Sequence, residues 1–280
     1  MKKPSFKAMF ENKVVIVTGG ASGIGYELAK RLAAYGAYVA IADLEYSKAN
    51  KAALEINGSS GNNVWAVQTD VSHADSVEKL VNDTFTRFNR LDYIFNNAGN
   101  SILGEIRDIS LTQWEKVLQT NFNGTLYGTF YAYNLFLKQG HGYIINISSG
   151  AGIAPVLLSA PYAVSKAAVI RFSEIIRLEA YDLNIDVSVV CPGYVKTNML
   201  HSIMLSGAAK HEDAQWNMKQ MSVENAVDII LKGIQKKKFL IMFPYYIHLA
   251  KWAYYFFPWL WKRLHLSNIR QYRQKKKSQI

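Results

Sequence analysis

A run of four apolar β-branched residues leads almost directly into glycines in Val14-Val15-Ile16-Val17-Thr18-Gly19-Gly20-Ala21-Ser22-Gly23-Ile24-Gly25, and no other stretch constrains this chain as much. Such a run reads as a strand buried on both faces, as in a parallel sheet covered by helices. Glycines between strand and helix allow a tight turn against a ligand. The first N–H groups of the following helix, at the positive end of its dipole, then face an anion such as a pyrophosphate. The spacing Gly19-x-x-x-Gly23-x-Gly25 departs from the commoner G-x-G-x-x-G fingerprint, and glycines after a strand are often only a turn. Asp43 adds weight, because it ends Tyr38 to Ala42, which reads as the second strand. An acid about 20 residues past the loop accepts hydrogen bonds from adenosine ribose hydroxyls and repels a 2′-phosphate. No Arg or Lys lies within the loop or directly after Asp43, so NAD is expected over NADP.

A chain of 280 residues, half of them hydrophobic, accommodates one α/β domain with a full core and an appended piece. Cys191 is the single cysteine and sits in the apolar run Val187 to Cys191, so a buried structural thiol in a reducing compartment is expected before a catalytic one. Met1-Lys2-Lys3-Pro4-Ser5-Phe6 starts basic but has no apolar core before Glu11 and Asn12, unlike a signal peptide. The net charge of +11 is localised: twelve of the 32 Lys and Arg, and none of the 21 Asp and Glu, lie from Lys232 to Ile280. The body is therefore near neutral and the tail is basic.

Along the chain, Glu27 to Tyr35 has helical apolar spacing and stops at Gly36, completing a first βαβ unit. A helix from about Ser47 to Ile56, a loop from Gly58 to Asn63 and a strand Val64 to Val67 follow. Asp70 then reads as a helix cap or an adenine contact, and Ser72 or Asp75 as the cap of a helix running to about Phe88. Leu91 to Phe95 is a fourth strand, delivering Asn96-Asn97-Ala98-Gly99 at its carboxyl end, where small residues permit close approach of a ligand or form only a polar turn. Ser110-Leu111-Thr112-Gln113 has the form of a capping box opening a helix to about Leu137. Asn121 lies within it, unfavourable unless its amide finds partners, and so is a candidate for a structural or proton-relay role.

Tyr143 to Ile147 reads as the fifth strand, with Ser149 at its end, and Tyr162-Ala163-Val164-Ser165-Lys166 opens the next helix. Tyr162 and Lys166, four apart, share a helix face. A phenol of pKa about 10 is a poor base at neutral pH, and a cation within about 4 to 6 Å lowers an acid's pKa by roughly 1 to 3 units. Tyr162 is thus a candidate proton carrier, with Ser149 holding a substrate oxygen beside it; alone, the pair would be an ordinary helix surface. Ile185 to Val190 reads as the sixth strand, leading to Pro192-Gly193 and to Thr197 beside the pocket. The irregular stretch 198–221 reads as a lid or a surface helix pair, followed by a helix from Ser222 and a seventh strand from Phe239.

Thr18-Gly19-x-x-x-Gly23-Ile24-Gly25, Asp70, Asn96-Asn97-Ala98-Gly99, Asn121, Ser149, Tyr162-x-x-x-Lys166 and Pro192-Gly193 fall in one order and spacing. In this the chain resembles the short-chain dehydrogenase/reductase family, of its classical type, over about residues 11–244. The resemblance implies a Rossmann-type, doubly wound, seven-stranded parallel sheet in a single domain, residues 1–244. It implies Tyr162 as general acid/base and Ser149 steadying the substrate oxygen. Lys166 would bind the nicotinamide ribose and lower the Tyr162 pKa, and Asn121 would hold a water in a proton relay. The cofactor is expected along Gly19, Ser22, Gly23, Ile24 and Gly25, then at Asp43 with Leu44 and at Asp70 with Val71. Asn97, Ala98 and Gly99 would follow, then Tyr162 and Lys166, and last Pro192, Gly193, Val195 and Thr197. No metal is implied, and a homodimer or homotetramer is expected through the helices starting near Ser110 and Pro161.

The departure from the family is residues 245–280. Tyr245 to Trp261 holds nine aromatic residues, interrupted by Pro258 and followed by a basic end. His248, Lys251, Tyr255 and Lys262 make a narrow polar stripe on an apolar helix. Seventeen residues containing a Lys and a Pro are marginal for crossing a bilayer core about 30 Å thick, whereas aromatics flanked by basic residues suit its interface. An interfacial helix is the expectation, with packing on the domain or a partner subunit, or a membrane span, as alternatives. Contiguous apolar aromatics argue against nucleic acid. The expectation is an NAD-dependent oxidoreductase for a hydroxyl or ketone of a lipophilic molecule, such as a sterol or acyl-chain compound. It would be cytoplasmic and peripheral on the inner face of a membrane. The alternatives are an NADPH-dependent keto-lipid reductase and, in another class, an idle module sensing NAD.

Overall fold

The computed structural model describes residues 4–197, 204–205 and 220–277. In chain order the strands are β1 (Val14–Thr18), β2 (Tyr38–Asp43), β3 (Val64–Gln68), β4 (Tyr93–Asn96), β5 (Ile102–Leu103), β6 (Gly142–Ile147), β7 (Ile185–Pro192), β8 (Met204–Leu205) and β9 (Leu240–Phe243). Seven of them form one sheet in the order β3-β2-β1-β4-β6-β7-β9, every pairing parallel. The helices are α1 (Phe6–Phe10), α2 (Gly23–Ala34), α3 (Tyr46–Ser60), α4 (Ala74–Phe88), α5 (Leu111–Leu118), α6 (Gly124–Gln139), α7 (Ala160–Glu179), α8 (Val223–Gln235), α9 (Tyr245–Phe256) and α10 (Pro258–Lys277).

The β1 side chains show how the sheet is held. Val15 and Val17 enter one core with Leu28 and Leu32 of α2 and Ile230 and Ile234 of α8. Val14 and Ile16 enter the other, with Leu80 and Val81 of α4 and Phe136 of α6. Alternate residues thus serve opposite layers, which is why the run is apolar throughout. Strand order reverses between β1 and β4, and in such sheets the crevice at that switch, outside the strands' carboxyl ends, receives the ligand.

Several local expectations change. Helix α2 begins at Gly23, inside the glycine loop, and α3 runs on to Ser60, through part of the expected loop. Neither Ser72 nor Asp75 caps α4: the N-cap position is His73, Ser72 turns back to Asp70, and Asp75 sits in the first turn. The Ser110–Gln113 capping box forms, but the helix passes through a π-helical turn, Gln119–Asn123, that carries Asn121. Such turns insert one extra residue into a helix and re-aim its side chains. The short helix α1 and the small sheet pairing β5 with β8 were not anticipated. Of the expected lid, 198–203 and 206–219 lie outside the described residues, while Met221 bridges back to Val195.

The tail is two helices meeting at Phe257–Pro258, where proline has no N–H to continue α9. No helix among the described residues is long and apolar enough to cross a membrane.

Candidate active site

The glycine loop is locked to the end of β4. The Thr18 hydroxyl accepts the N–H groups of Asn97 (3.0 Å) and Ala98 (3.1 Å), and the Asn97 amide donates to the carbonyls of Thr18 (2.9 Å) and Gly19 (3.1 Å). Gly19, at φ +61, has no room for a side chain, since a Cβ would stand 2.9 Å from Ala98 Cα. A Cβ on Gly25 would stand 2.3 Å from the Gly19 carbonyl oxygen. Ser22, at the N-cap of α2, makes no side-chain capping bond, so its hydroxyl leaves the first-turn N–H groups to an incoming anion.

At the end of β2, the Asp43 carboxylate accepts N–H bonds from Ala21 (3.2 Å) and Glu45 (3.3 Å), which tie the acid to the loop. Asp70 organises its own turn, accepting from Ser72 N–H (2.9 Å) and Ser72 hydroxyl (2.6 Å). Burial works to raise the Asp70 pKa, but those bonds and His73 outweigh it and hold the carboxyl below its usual range.

Across the sheet, Ser149 ends β6, its oxygen accepting from Ala151 N–H at 3.2 Å. The Ser149 side chain lies beside the Tyr162 phenol and acts to lower its pKa. Lys166, buried, donates to the Ile147 carbonyl at 2.9 Å, and its ammonium lies 5.8 Å from the centre of the Tyr162 ring. Beside this cluster, a Cβ on Gly99 would meet Asn121 Oδ1 at 3.2 Å and Lys166 Nζ at 3.4 Å. The Asn121 amide is committed to protein groups: it accepts from Asn100 N–H (2.8 Å) and donates to Asn100 O (2.9 Å) and Ser165 Oγ (3.0 Å). Its side chain therefore fastens the π turn to the loop after β4 and to α7.

Burial raises the Tyr162 pKa and the Ser149 side chain opposes that rise, while the Lys166 ammonium donates to the Ile147 carbonyl. Burial also brings Lys166 down to about 8. Cys191 is buried and free, and burial pushes its thiol up to about 12, which leaves no thiolate for chemistry at neutral pH.

Every residue expected at the site lines one cleft of about 2340 Å³, except Gly25 and Asn121, which pack just behind its wall. Sequence reasoning missed much of the opposite wall: Val156, Leu157 and Tyr194, with Tyr246 and Ile247 from α9 and Trp261 from α10. Tyr246 accepts the N–H of Tyr194 at 2.9 Å, and a Cβ on Gly150 would strike Ile247 at 2.5 Å. Helix α10 is tied back to the domain by Arg273, which donates to the buried carboxylate of Glu105 at 2.8 Å. Glu105 also holds Arg107 at 2.6 Å. Glu105 and Arg273 are 168 residues apart, so no local pattern signalled the pair. Among the described residues no group of His, Cys, Asp and Glu is placed to hold a metal ion.

These features fit a nicotinamide dinucleotide: side-chain-free glycines at the loop, open N–H groups at the α2 terminus, and an acid at the end of β2. Residues 13–206 match the short chain dehydrogenase family, and the chain belongs to that family of nucleotide-binding oxidoreductases acting on CH–OH groups. It is 34% identical over 203 residues to 11-beta-hydroxysteroid dehydrogenase 1A of Arabidopsis thaliana, covering 72% of this chain and 58% of that relative's length. It is 32% identical over 190 residues to meso-2,3-butanediol dehydrogenase of Serratia marcescens, covering 68% and 74%. Among solved structures, a short chain dehydrogenase/reductase from Burkholderia phymatum in complex with NAD superposes with a TM-score of 0.76. At 22% identity over 87% of this chain and 92% of that one, that likeness speaks to the fold alone.

Proposed function

We propose that this protein is an NAD-preferring dehydrogenase/reductase acting on a secondary hydroxyl or ketone of a lipophilic molecule, a sterol or acyl-chain compound. The observation that carries the reading is the Ser149–Tyr162–Lys166 cluster at the carboxyl end of β6, in the same cleft as the glycine loop. Bound NAD supplies the hydride acceptor. Ser149 would hold the substrate oxygen, Tyr162 would take or return its proton, and Lys166 would hold the nicotinamide ribose, with Asn121 fixing the turn that backs the cluster. Burial raises the Tyr162 pKa, and the nearby Lys166 ammonium, 5.8 Å from the ring centre, is the charge that would favour its phenolate. The lipophilic class is supported by the cleft wall of Val156, Leu157, Tyr194, Tyr246 and Ile247.

The choice of NAD rests on Asp43. Lys48 and Lys51 line the same cleft and favour the second reading, an NADPH-dependent keto-lipid reductase, although Lys48 is held by Glu45 at 2.5 Å. Screening hydrophobic alcohols for NAD reduction, with kcat/KM compared for the two cofactors, tests both points. Asp43→Ala is expected to erode an NAD preference by about 10- to 100-fold, as loss of a charged hydrogen-bond acceptor does. A preference for NADP in the wild type would overturn the cofactor assignment. We also infer pairing of subunits through the faces of α5–α7, on which Leu111, Phe130, Val164 and Leu178 stand exposed. Light scattering that reports a monomer would refute it.

A further inference from the structure

The α9–α10 hairpin has two faces of opposite character. Its inner face carries Tyr246, Ile247, Ala250, Trp261 and His265 into the cleft and is tied down by Tyr194 and Glu105. Its outer face and its elbow carry the densest set of exposed aromatics in the described residues: Trp252 at 54% exposure, Tyr255 at 73%, Phe256 at 59% and Trp259 at 64%. Exposed aromatic area of this kind marks an interaction surface, since a solvated helix face gains nothing from it. Charge selects the occupant. Lys262, Arg263 and Arg270 are exposed just beyond the elbow, and no acidic residue follows Asp228. An apolar elbow backed by uncompensated basic residues matches the headgroup boundary of an anionic bilayer, with the rings in the acyl region and the cations at the phosphates.

We propose that the elbow of the hairpin docks the enzyme on an anionic lipid bilayer, and that the inner face of the same hairpin forms the wall past which an apolar substrate reaches Tyr162 from the lipid. The docking stands on the outer face alone; the substrate route rests on the function proposed above. The hairpin joins the two events because one pair of helices forms both the membrane anchor and the cleft wall.

Flotation of the full-length protein with vesicles tests the docking. Binding is expected to phosphatidylcholine vesicles containing phosphatidylglycerol, to fall with salt, and to be weak on phosphatidylcholine alone. The triple variant Trp252→Ser, Phe256→Ser, Trp259→Ser is expected to bind at least tenfold more weakly. Lys262→Gln, Arg263→Gln, Arg270→Gln is expected to weaken binding by about a hundredfold, roughly fivefold for each cation lost at the surface. Both sets should retain the wild-type melting temperature and turnover of a water-soluble alcohol. Anionic vesicles should lower the KM for an apolar alcohol with the wild type and not with the aromatic variant. Undiminished flotation of the aromatic variant would overturn the proposal. So would a wild type that ignores vesicles but loses a larger assembly state in light scattering when the aromatics are removed, which assigns the elbow to a second copy of the chain. A wild type that floats but turns over no apolar alcohol would leave the docking in place and defeat the substrate reading.

Discussion

The two walls of the cleft are built by different means. On the nucleotide side, the positions are set by backbone: Gly19 and Gly25 have no space for a Cβ, and Thr18 and Asn97 exchange bonds with main-chain groups. On the opposite side, the wall is a helical hairpin held by the Tyr246 hydroxyl, the Ile247–Gly150 contact and the ion pair of Glu105 with Arg273. Backbone geometry suits a ligand whose shape does not change from one enzyme of the family to another. Side-chain contacts from a distant segment can be altered one at a time, which suits a wall that sets which substrate is admitted.

Between the walls lies the Ser149–Tyr162–Lys166 cluster proposed to carry the reaction, and the largest effect is expected there. Tyr162→Phe should lower kcat by about 10²- to 10⁴-fold while leaving dinucleotide affinity and the melting temperature near wild type. Unaltered turnover would remove Tyr162 from the chemistry and leave the cleft a binding site.

Lys166 gives a pH-dependent comparison. Its folded pKa of about 8 lies below the ordinary 10.5, so the unfolded chain binds the extra proton between those values and the buried ammonium costs stability below about pH 8. That cost shrinks as pH rises toward 10.5. Lys166→Met is therefore expected to raise stability at neutral pH by up to about 3 kcal/mol, less about 1 kcal/mol for the lost bond to Ile147. The gain should close in denaturant titrations at rising pH; a gap that stays constant would show that packing, not charge, separates the two proteins.

On the nucleotide wall, Gly25→Ala drives a methyl against the Gly19 carbonyl and should cost about 1–3 kcal/mol, read as weaker dinucleotide binding by calorimetry with KM for the alcohol little changed. On the hairpin wall, Arg273→Ala removes an exposed cation whose partner Glu105 keeps Arg107, and should cost under about 1 kcal/mol. Its signature would be a few-fold rise in KM for apolar substrates with kcat and dinucleotide affinity unchanged. If the two variants disturbed the same parameter, the division of labour between the walls would be wrong.

Much of this was legible in the chain. Alternation of Val14 to Val17 between two cores follows from an apolar run of strand length, and the capping box at Ser110 follows from local hydrogen bonding. Other features depended on neighbours no local pattern reports. The π turn at Asn121 is held by an amide that reaches Asn100 and Ser165, and the direction of the Tyr162 shift is set first by burial. Ser72 has the composition of a cap, yet Asp70 claims its hydroxyl.

Order and spacing along the sequence sufficed to name the sheet, the nucleotide loop and the Ser149, Tyr162 and Lys166 group, because strands, turns and helix faces are decided by residues a few positions apart. The roof of the cleft was decided only in three dimensions. Ile247 meets Gly150, and Arg273 meets Glu105, across separations of about a hundred residues or more, and the energy of such contacts depends on the whole intervening fold.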